Sequence, residues 1–421
     1  MRSAAIPVPP VPHIVFLQGM PSSFFRRVGG CLAEHGWRVT RINLCFGDWL
    51  FWHDPCARSY RGSLAHWPQW IRRFFAAERV TELMLLGEQR HYHREAVAIA
   101  QELGIGVTAT DFGYLRPDWI TLERDGLGGA SRFPRDPGKI HEIARKATVL
   151  DRETRFRDSA LQMALGDLAQ NFGNLLMAPL YPRYRRSDRR PPAIPYMVAS
   201  GWRLLGNRLL RKGVQAQCGR LWASQRPYYL FPLQLHFDFQ ILAYSPYPQM
   251  EEALEEVLVS FRNHAPAGAR LAVKEHPWDP GLPNWERHVH RRARALGLED
   301  RVWYLRGGDL DRLIAGSAGV VLVNSSSGLR ALELQRPLKV LGSAVFDVPG
   351  LAYQGPLDHF WTGGQEPDPG LREDFFRALA ATVQVRGVFF QEPGLTEAVL
   401  ETCHRLRTGT VGTLTRRDTE T

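Results

Sequence analysis

No phosphate-binding loop of the form G-x-x-x-x-G-K-[ST] occurs in the 421 residues, and no G-x-G-x-x-G follows a stretch that reads as a strand. ATP hydrolysis and nicotinamide chemistry therefore have no basis in the sequence. Long apolar runs are also missing: AGVVLV and LMLLG are among the longest, far short of the ~20 residues of a membrane-spanning helix. Cysteine is scarce, with five residues (Cys31, Cys45, Cys56, Cys218, Cys403) and no C-x-x-C. An odd number without metal-ligand spacing argues against both a disulfide framework and a zinc site, and the five read as reduced and structural. RNA-binding and helix-turn-helix signatures are absent, which leaves nucleic acid without support. Residues 1–19 hold one arginine and several prolines, and their apolar part reads as a first strand rather than a signal-peptide core. The expected compartment is the cytoplasm.

What is present is a globular composition, 44% hydrophobic, in a chain long enough for two domains. Lysine and arginine outnumber aspartate and glutamate by 53 to 43, a formal charge of +10. Residues 42–70 interleave Trp49, Phe51, Trp52, Trp67 and Trp70 with few acids. Nucleic acid, anionic lipid or a phosphate-bearing substrate suits such a surface. The basic cluster YPRYRRSDRRPP (181–192) reads first as a solvated loop, second as a contact with anionic membrane and last as a contact with RNA.

Hydrophobic periodicity organises the chain. HIVFLQG (13–19), WRVTRIN (37–43), LMLLG (83–87) and GVTAT (106–110) read as strands, alternating with helices near 22–35, 67–78 and 93–104. Alternation of this kind predicts a parallel sheet covered on both faces. Residues 140–215 turn helical, basic and proline-interrupted. The strand and helix pattern resumes at 228–234, 269–277, 301–305, 318–323 and 337–342. Leu254, Val257, Leu258 and Phe261 keep the spacing of one buried helix face. The reading is α/β with two Rossmann-like domains, 1–215 and 216–385, and a closing helical segment and polar tail, 386–421.

Ligands in such sheets bind beyond the carboxyl ends of the strands. That rule selects Gln18, Gly19, Asn43, Gly87, Glu88, Asp111, Lys274 to His276, and Asn324 to Ser327. Asn324, Ser325, Ser326 and Ser327 stand between a buried strand and a helix, where hydroxyls and free N–H groups suit a phosphate; the plainer reading is an N-cap. Lys274 and His276, with Pro277 turning the chain away, are suited to the charge of a departing phosphate; the plainer reading is a structural histidine. Asp111-Phe112-Gly113 spells D-F-G, but neither the glycine-rich loop, the lysine nor the H-R-D of a kinase accompanies it. Asp111 is instead suited to act as nucleophile or base at a sugar's anomeric carbon, with Gly113 admitting close approach and Arg116 forking a substrate carboxylate. Its plainer reading is a solvated loop carboxylate. The histidine pairs His91/His93 and His288/His290 are two apart, on different faces of a helix, and do not suggest a metal.

Several ordered blocks resemble one family, the bacterial capsule-polysaccharide β-Kdo transferases of the KpsS/KpsC type. They are FLQGMPSSFFRRVGGCLAEHGWRVTRINLCFGDWLFW, GEQRHYHREAVAIA, DFGYLRPDWITLERDGLGGASRFPRDP, FPLQLHFDFQILAYSPY, KEHPWDPG and VNSSSGLRALELQRPLKVLG, spread over roughly 13–360. The single-module length resembles the KpsS type. The resemblance implies a GT-B glycosyltransferase, two facing Rossmann-like domains with an interdomain active-site cleft. It would move Kdo from CMP-β-Kdo to a phosphatidylglycerol-type lipid at the cytoplasmic face of the inner membrane, with no cofactor or metal. Other capsule assembly or export proteins are implied as possible partners. The family's acidic-x-Gly motif falls on Asp111 and Gly113, which makes Asp111 the nucleophile of a retaining double displacement. Its His-Pro motif falls on His276 and Pro277, which would hold the CMP phosphate with Ser325 and Ser326. Phe112 stands where relatives often carry an acid, and Phe237 where a polar residue is expected. A transferase for another CMP-sugar of the sialic-acid type, or a non-catalytic glycolipid-binding capsule component, are the alternative readings.

Overall fold

The computed structural model describes residues 11–186, 206, 212–235, 238–279, 281 and 284–414. Twelve strands are present among them. The first six are β1 His13–Phe16, β2 Arg38–Asn43, β3 Ala57–Ser59, β4 Glu82–Leu86, β5 Gly106–Phe112 and β6 Trp119–Arg124. The others are β7 Tyr228–Pro232, β8 Arg270–Lys274, β9 Val302–Leu305, β10 Gly319–Leu322, β11 Leu338–Val340 and β12 Gln384–Arg386. They form a seven-stranded sheet, β12-β6-β5-β4-β1-β2-β3, and a five-stranded sheet, β11-β10-β7-β8-β9. The expected α/β class with parallel sheets is what the chain adopts.

In the first sheet β1 to β5 run parallel, and β6 and β12 are antiparallel additions. Side chains alternate across a strand, and here both faces are covered. Val15, Leu17, Leu83 and Leu85 join one core with Trp67, Ile71 and Tyr92. Ile14, Phe16 and Met84 join the other with Phe24, Val28 and Leu406. Two-sided burial is why these strands read as unbroken apolar runs. The second sheet is wholly parallel. The helix Met250–His264 buries Leu254, Val257, Leu258 and Phe261 against it, the face the spacing predicts.

The chain divides into two units that are not contiguous in sequence, unlike the 1–215 and 216–385 boundaries expected from the strand and helix pattern. The first contains 1–127, 151–187 and 382–421; the second contains 128–150 and 188–381. The C-terminal segment is part of the first unit because β12 pairs with β6, with Gln384 opposite Thr121. The helix Gly394–Thr408 also packs on the helix Phe24–Glu34. Residues 128–150 join the second unit through His141 to Asp374 at 2.6 Å and Arg135 to the Ser343 hydroxyl at 2.9 Å.

The cysteine expectation is corrected in part. Cys31 and Cys403, 372 residues apart, form a disulfide, while Cys45, Cys56 and Cys218 are free thiols. A partner so distant along the chain leaves no spacing to read. Among the described residues no helix is long and apolar enough to cross a membrane.

Candidate active site

Each sheet changes winding direction once. Strand order 3-2-1-4-5 puts the first switch point between β1 and β4, and order 11-10-7-8-9 puts the second between β7 and β10. Crevices beyond the carboxyl ends of strands at such points are where open α/β sheets bind ligands. The selected residues therefore belong to two loci, one in each unit.

In the second unit the Asn324 to Ser327 loop follows β10. Asn324 is tied into the fold: its N–H donates to Gln234 Oε1 at 3.1 Å, its Oδ1 accepts from Gln234 Nε2 at 3.0 Å, and its Nδ2 donates to the Gln240 carbonyl at 2.8 Å. Asn324 thus shapes the loop after β10, and Gln234, which the sequence did not single out, is its counterpart after β7. Ser327 donates from its hydroxyl to Ser325 Oγ at 2.9 Å. Ser326 is exposed and occupies the N-cap position without a side-chain capping bond. Its hydroxyl is not consumed by the helix Ser327–Glu333; Ser325 Oγ instead accepts the Ser327 N–H at 3.3 Å, so the capping of the plainer reading falls on Ser325.

β8 ends in Lys274, only 6% exposed, whose Nζ donates to the Glu275 carbonyl at 3.3 Å. Loss of water lowers the Lys274 pKa, against the opposing pull of Cys218 and Glu275. His276 is half-buried, and its Nδ1 accepts the Trp278 N–H at 3.2 Å. That bond places the imidazole proton on Nε2. Pro277 is exposed beside it. A cavity of about 160 Å³ lined by Glu275, Trp285, Tyr304 and Arg306 adjoins this turn. It is smaller than the roughly 300 Å³ at which ligand pockets begin.

In the first unit Asp111 lies at the end of β5, half-buried, opposite Thr121 of β6. Its Oδ1 accepts the Phe112 N–H at 2.7 Å. Removal from water raises its pKa, offset by that N–H and by the charges of Arg90 and Arg116. Arg90 is a residue the sequence reading missed, although it stands two positions beyond the Gly87-Glu88 turn that the reading had selected. Arg116 is exposed, with its guanidinium 5.8 Å from the Phe112 ring. The Phe112 ring meets Phe389 edge-on at 5.5 Å. Phe112 therefore packs on the C-terminal segment of its own unit. Phe237 lies outside the described residues, as does the 187–192 half of the basic cluster.

Three expected ligand contacts are instead occupied by the fold. Asn43 has no exposed surface; its Oδ1 accepts from Arg41 Nε at 2.8 Å and its Nδ2 donates to the Trp52 carbonyl at 2.9 Å. Gln18, 2% exposed, donates to Asp48 Oδ1 at 3.2 Å. A Cβ at Gly19 would sit 2.5 Å from the Phe25 ring. These residues hold a buried network around the Arg41–Asp48 pair, which satisfies charges that would otherwise be costly to bury. Gly113 also has a structural cause, since a Cβ there would lie 2.3 Å from the Trp119 carbonyl oxygen. Gly113→Ala is accordingly expected to destabilise the chain by about 1–3 kcal/mol through overpacking. Thermal melting checks this, and an unchanged transition would show that β6 can move aside.

Among the described residues one group of metal-ligating types comes together, Cys31, His35 and Cys403, and its two sulfurs are bonded to each other.

The family described as "Capsule polysaccharide biosynthesis protein" matches residues 81–390. The chain is 30% identical over 383 residues to the Escherichia coli capsule polysaccharide export protein KpsS, covering 89% of this chain and 96% of that one. It is 28% identical over 394 residues to the capsule polysaccharide modification protein LipB of Neisseria meningitidis serogroup A, covering 90% and 92%. Among solved structures, Thermosulfurimonas dismutans KpsC, beta Kdo 2,7 transferase, aligns with 93% of this chain and 99% of that one, at 14% identity and a TM-score of 0.43.

Proposed function

The chain belongs to the capsule polysaccharide biosynthesis protein family, and from that premise we propose that it is a glycosyltransferase moving Kdo from CMP-β-Kdo to an anionic phospholipid of the phosphatidylglycerol type. The observation that carries the reading is Asp111, a half-buried carboxylate at the end of β5 that accepts the Phe112 N–H at 2.7 Å and feels the charges of Arg90 and Arg116. A carboxylate that has lost part of its water is a stronger nucleophile than a fully hydrated one, and the charges of Arg90 and Arg116 favour its ionised form.

In the proposed reaction a carboxylate oxygen of Asp111 attacks the anomeric carbon of Kdo as the bond from that carbon to the CMP phosphate oxygen breaks. The product of this half is a Kdo ester of Asp111, and CMP departs. A hydroxyl of the acceptor then attacks the same carbon, loses its proton to solvent, and the ester bond breaks to return the carboxylate. Two inversions retain the anomeric configuration. Lys274 and the Ser325 and Ser326 hydroxyls are assigned to the phosphate of the departing CMP, with the Nε2–H of His276 as a further donor. An ammonium and three neutral donors offset the charge that the phosphate gains, so the proposal includes no metal ion. Arg116, exposed and close to Asp111 in sequence, is assigned to the sugar carboxylate. The cytoplasmic face of the inner membrane is the location assigned with this acceptor.

The test is incubation with CMP-Kdo and a fluorescent phosphatidylglycerol analogue, read by mass spectrometry. The expected result is a lipid gaining one Kdo, with release of one CMP, unchanged by EDTA. Transfer from a CMP-sialic-acid-type donor in its place would shift the donor assignment. Absence of both CMP release and product would overturn the enzymatic reading in favour of a glycolipid-binding role.

A further inference from the structure

An amphipathic helix on a protein surface ordinarily turns its apolar stripe inward and its polar face to water. The helix Ala160–Leu176 in the first unit does the reverse. Its small and polar residues form the packed side. Asn174 Oδ1 accepts the Gly47 N–H at 2.7 Å. A Cβ at Gly166 would meet the Pro21 carbonyl at 2.5 Å, and a Cβ at Gly47 would meet Gln170 at 2.5 Å. Its large apolar residues are in the open: Leu161 69%, Leu165 54%, Leu168 45%, Phe172 54%, Leu175 47% and Leu176 69% exposed. At the ~100° per residue of an α-helix, these six positions fall within an arc of about 100°. Leu180, which follows the helix, is 41% exposed, and Trp49 and Leu50, 39% and 38% exposed, stand on the helix Phe46–Phe51 that packs against it.

Leaving so much contiguous apolar surface in water is unfavourable, and patches of this kind mark a surface that is covered in use. The charge around it selects what covers it. Asp167 is the sole ionisable residue of the helix. The segment that follows, 181–192, holds five arginines and one aspartate, and the chain carries +10 overall. Arg183 and Arg185, at the start of that segment, are exposed. An apolar stripe about 25 Å long with arginines beyond its end matches a bilayer surface, where acyl chains take the leucines and anionic headgroups take the guanidiniums.

We propose that the exposed Leu161–Leu176 stripe, with Trp49 and Leu50, docks the protein on an anionic bilayer surface by lying in the plane of the interface. The inference rests on the reading of a phospholipid acceptor only for the origin of that surface. It locates the contact on a face that uses neither Asp111 nor the loops after β8 and β10.

The experiment is co-sedimentation of the full chain with phosphatidylcholine vesicles, with and without phosphatidylglycerol, comparing wild type with the double variant L165Q/F172Q. Wild type is expected to bind the phosphatidylglycerol vesicles. The variant should lose about tenfold or more in affinity, as expected for two large apolar side chains denied burial, with melting temperature and oligomeric state unchanged. Retained binding by the variant, or equal wild-type binding to vesicles without phosphatidylglycerol, would overturn the proposal. A lowered melting temperature would show that another part of this chain covers the stripe. Dissociation of a wild-type dimer by the variant would show that a second copy does. Either result also overturns it. Transfer to a water-soluble short-chain acceptor separates this inference from the function: the variant should retain it, and its absence in wild type would count against the transferase while the vesicle result stood.

Discussion

Asp111→Asn should abolish Kdo transfer and, near neutral pH, raise the melting temperature. The activity loss follows from chemistry: an amide is not a nucleophile toward the anomeric carbon, and removing a covalent nucleophile costs about 10³-fold or more in turnover. The stability gain follows from the position of the carboxylate. Loss of water raises its pKa above the ordinary value of 3.8 despite the Phe112 N–H and the charges of Arg90 and Arg116. The folded chain therefore holds this proton to higher pH than the unfolded chain does. Ionisation favours the unfolded state, so the penalty is absent below the ordinary carboxylate range, grows as pH rises through it, and is complete above the folded value. Asparagine keeps an oxygen for the Phe112 N–H and carries no charge. Melting curves across pH should show the variant ahead of wild type at neutral pH and level with it in acid. A variant that melts lower at neutral pH would show that Arg90 and Arg116 outweigh the loss of water. Full CMP release by the variant would remove Asp111 from the chemistry.

That trade is the pattern expected of a functional residue, where local stability is given up for reactivity. It also explains which features were legible in the sequence. The parallel strands β1, β2, β4, β5, β7, β8, β9 and β10 and the helix Met250–His264 announced themselves because burial on two faces or one face writes a period into the residue types. β12 did not, because three residues carry no period and its partner β6 lies more than 250 positions earlier. β6 could have been found: Trp119 to Leu122 is an aromatic and β-branched run after the turn at Pro117, an ordinary strand signal. The candidate site was legible to the extent that strand ends pointed to it. The rule selected Asp111, Lys274 and the serine loop, but equally Gln18 and Asn43, which the fold uses to satisfy Arg41 and Asp48. Nothing in residue type separates a strand-end amide that meets a ligand from one that closes a buried network. The orientation of the helix Ala160–Leu176 was hidden for a similar reason, since an apolar stripe looks the same whichever way it faces.

Lys274→Met supplies the complementary result in the second unit, and its pH dependence runs the other way. Lys274 is buried, and the one hydrogen bond of its ammonium among the described residues is to the Glu275 carbonyl at 3.3 Å. Burial lowers its pKa from 10.5. The unfolded chain thus keeps this proton to higher pH than the folded chain does. The penalty is complete below the folded value and fades as pH climbs toward 10.5. Methionine fills similar space without charge, so the unliganded variant should melt above wild type at neutral pH, the gap closing in alkaline buffer. With CMP the order should invert. A charged donor lost from a phosphate contact costs about 1.5–3 kcal/mol, roughly ten- to a hundredfold in affinity. CMP at about a hundred times its dissociation constant stabilises the protein it binds by about 2.7 kcal/mol. At that concentration wild type gains this amount, and the variant, ten- to a hundredfold weaker, about 0.4–1.4 kcal/mol. Calorimetric titration with CMP, paired with melting curves with and without it, reads both effects. An equal CMP shift in the two proteins would make Lys274 a structural lysine and leave the phosphate to the serine loop and His276. A large loss of CMP affinity together with a higher unliganded melting temperature is the result expected if the charge is buried there for the donor.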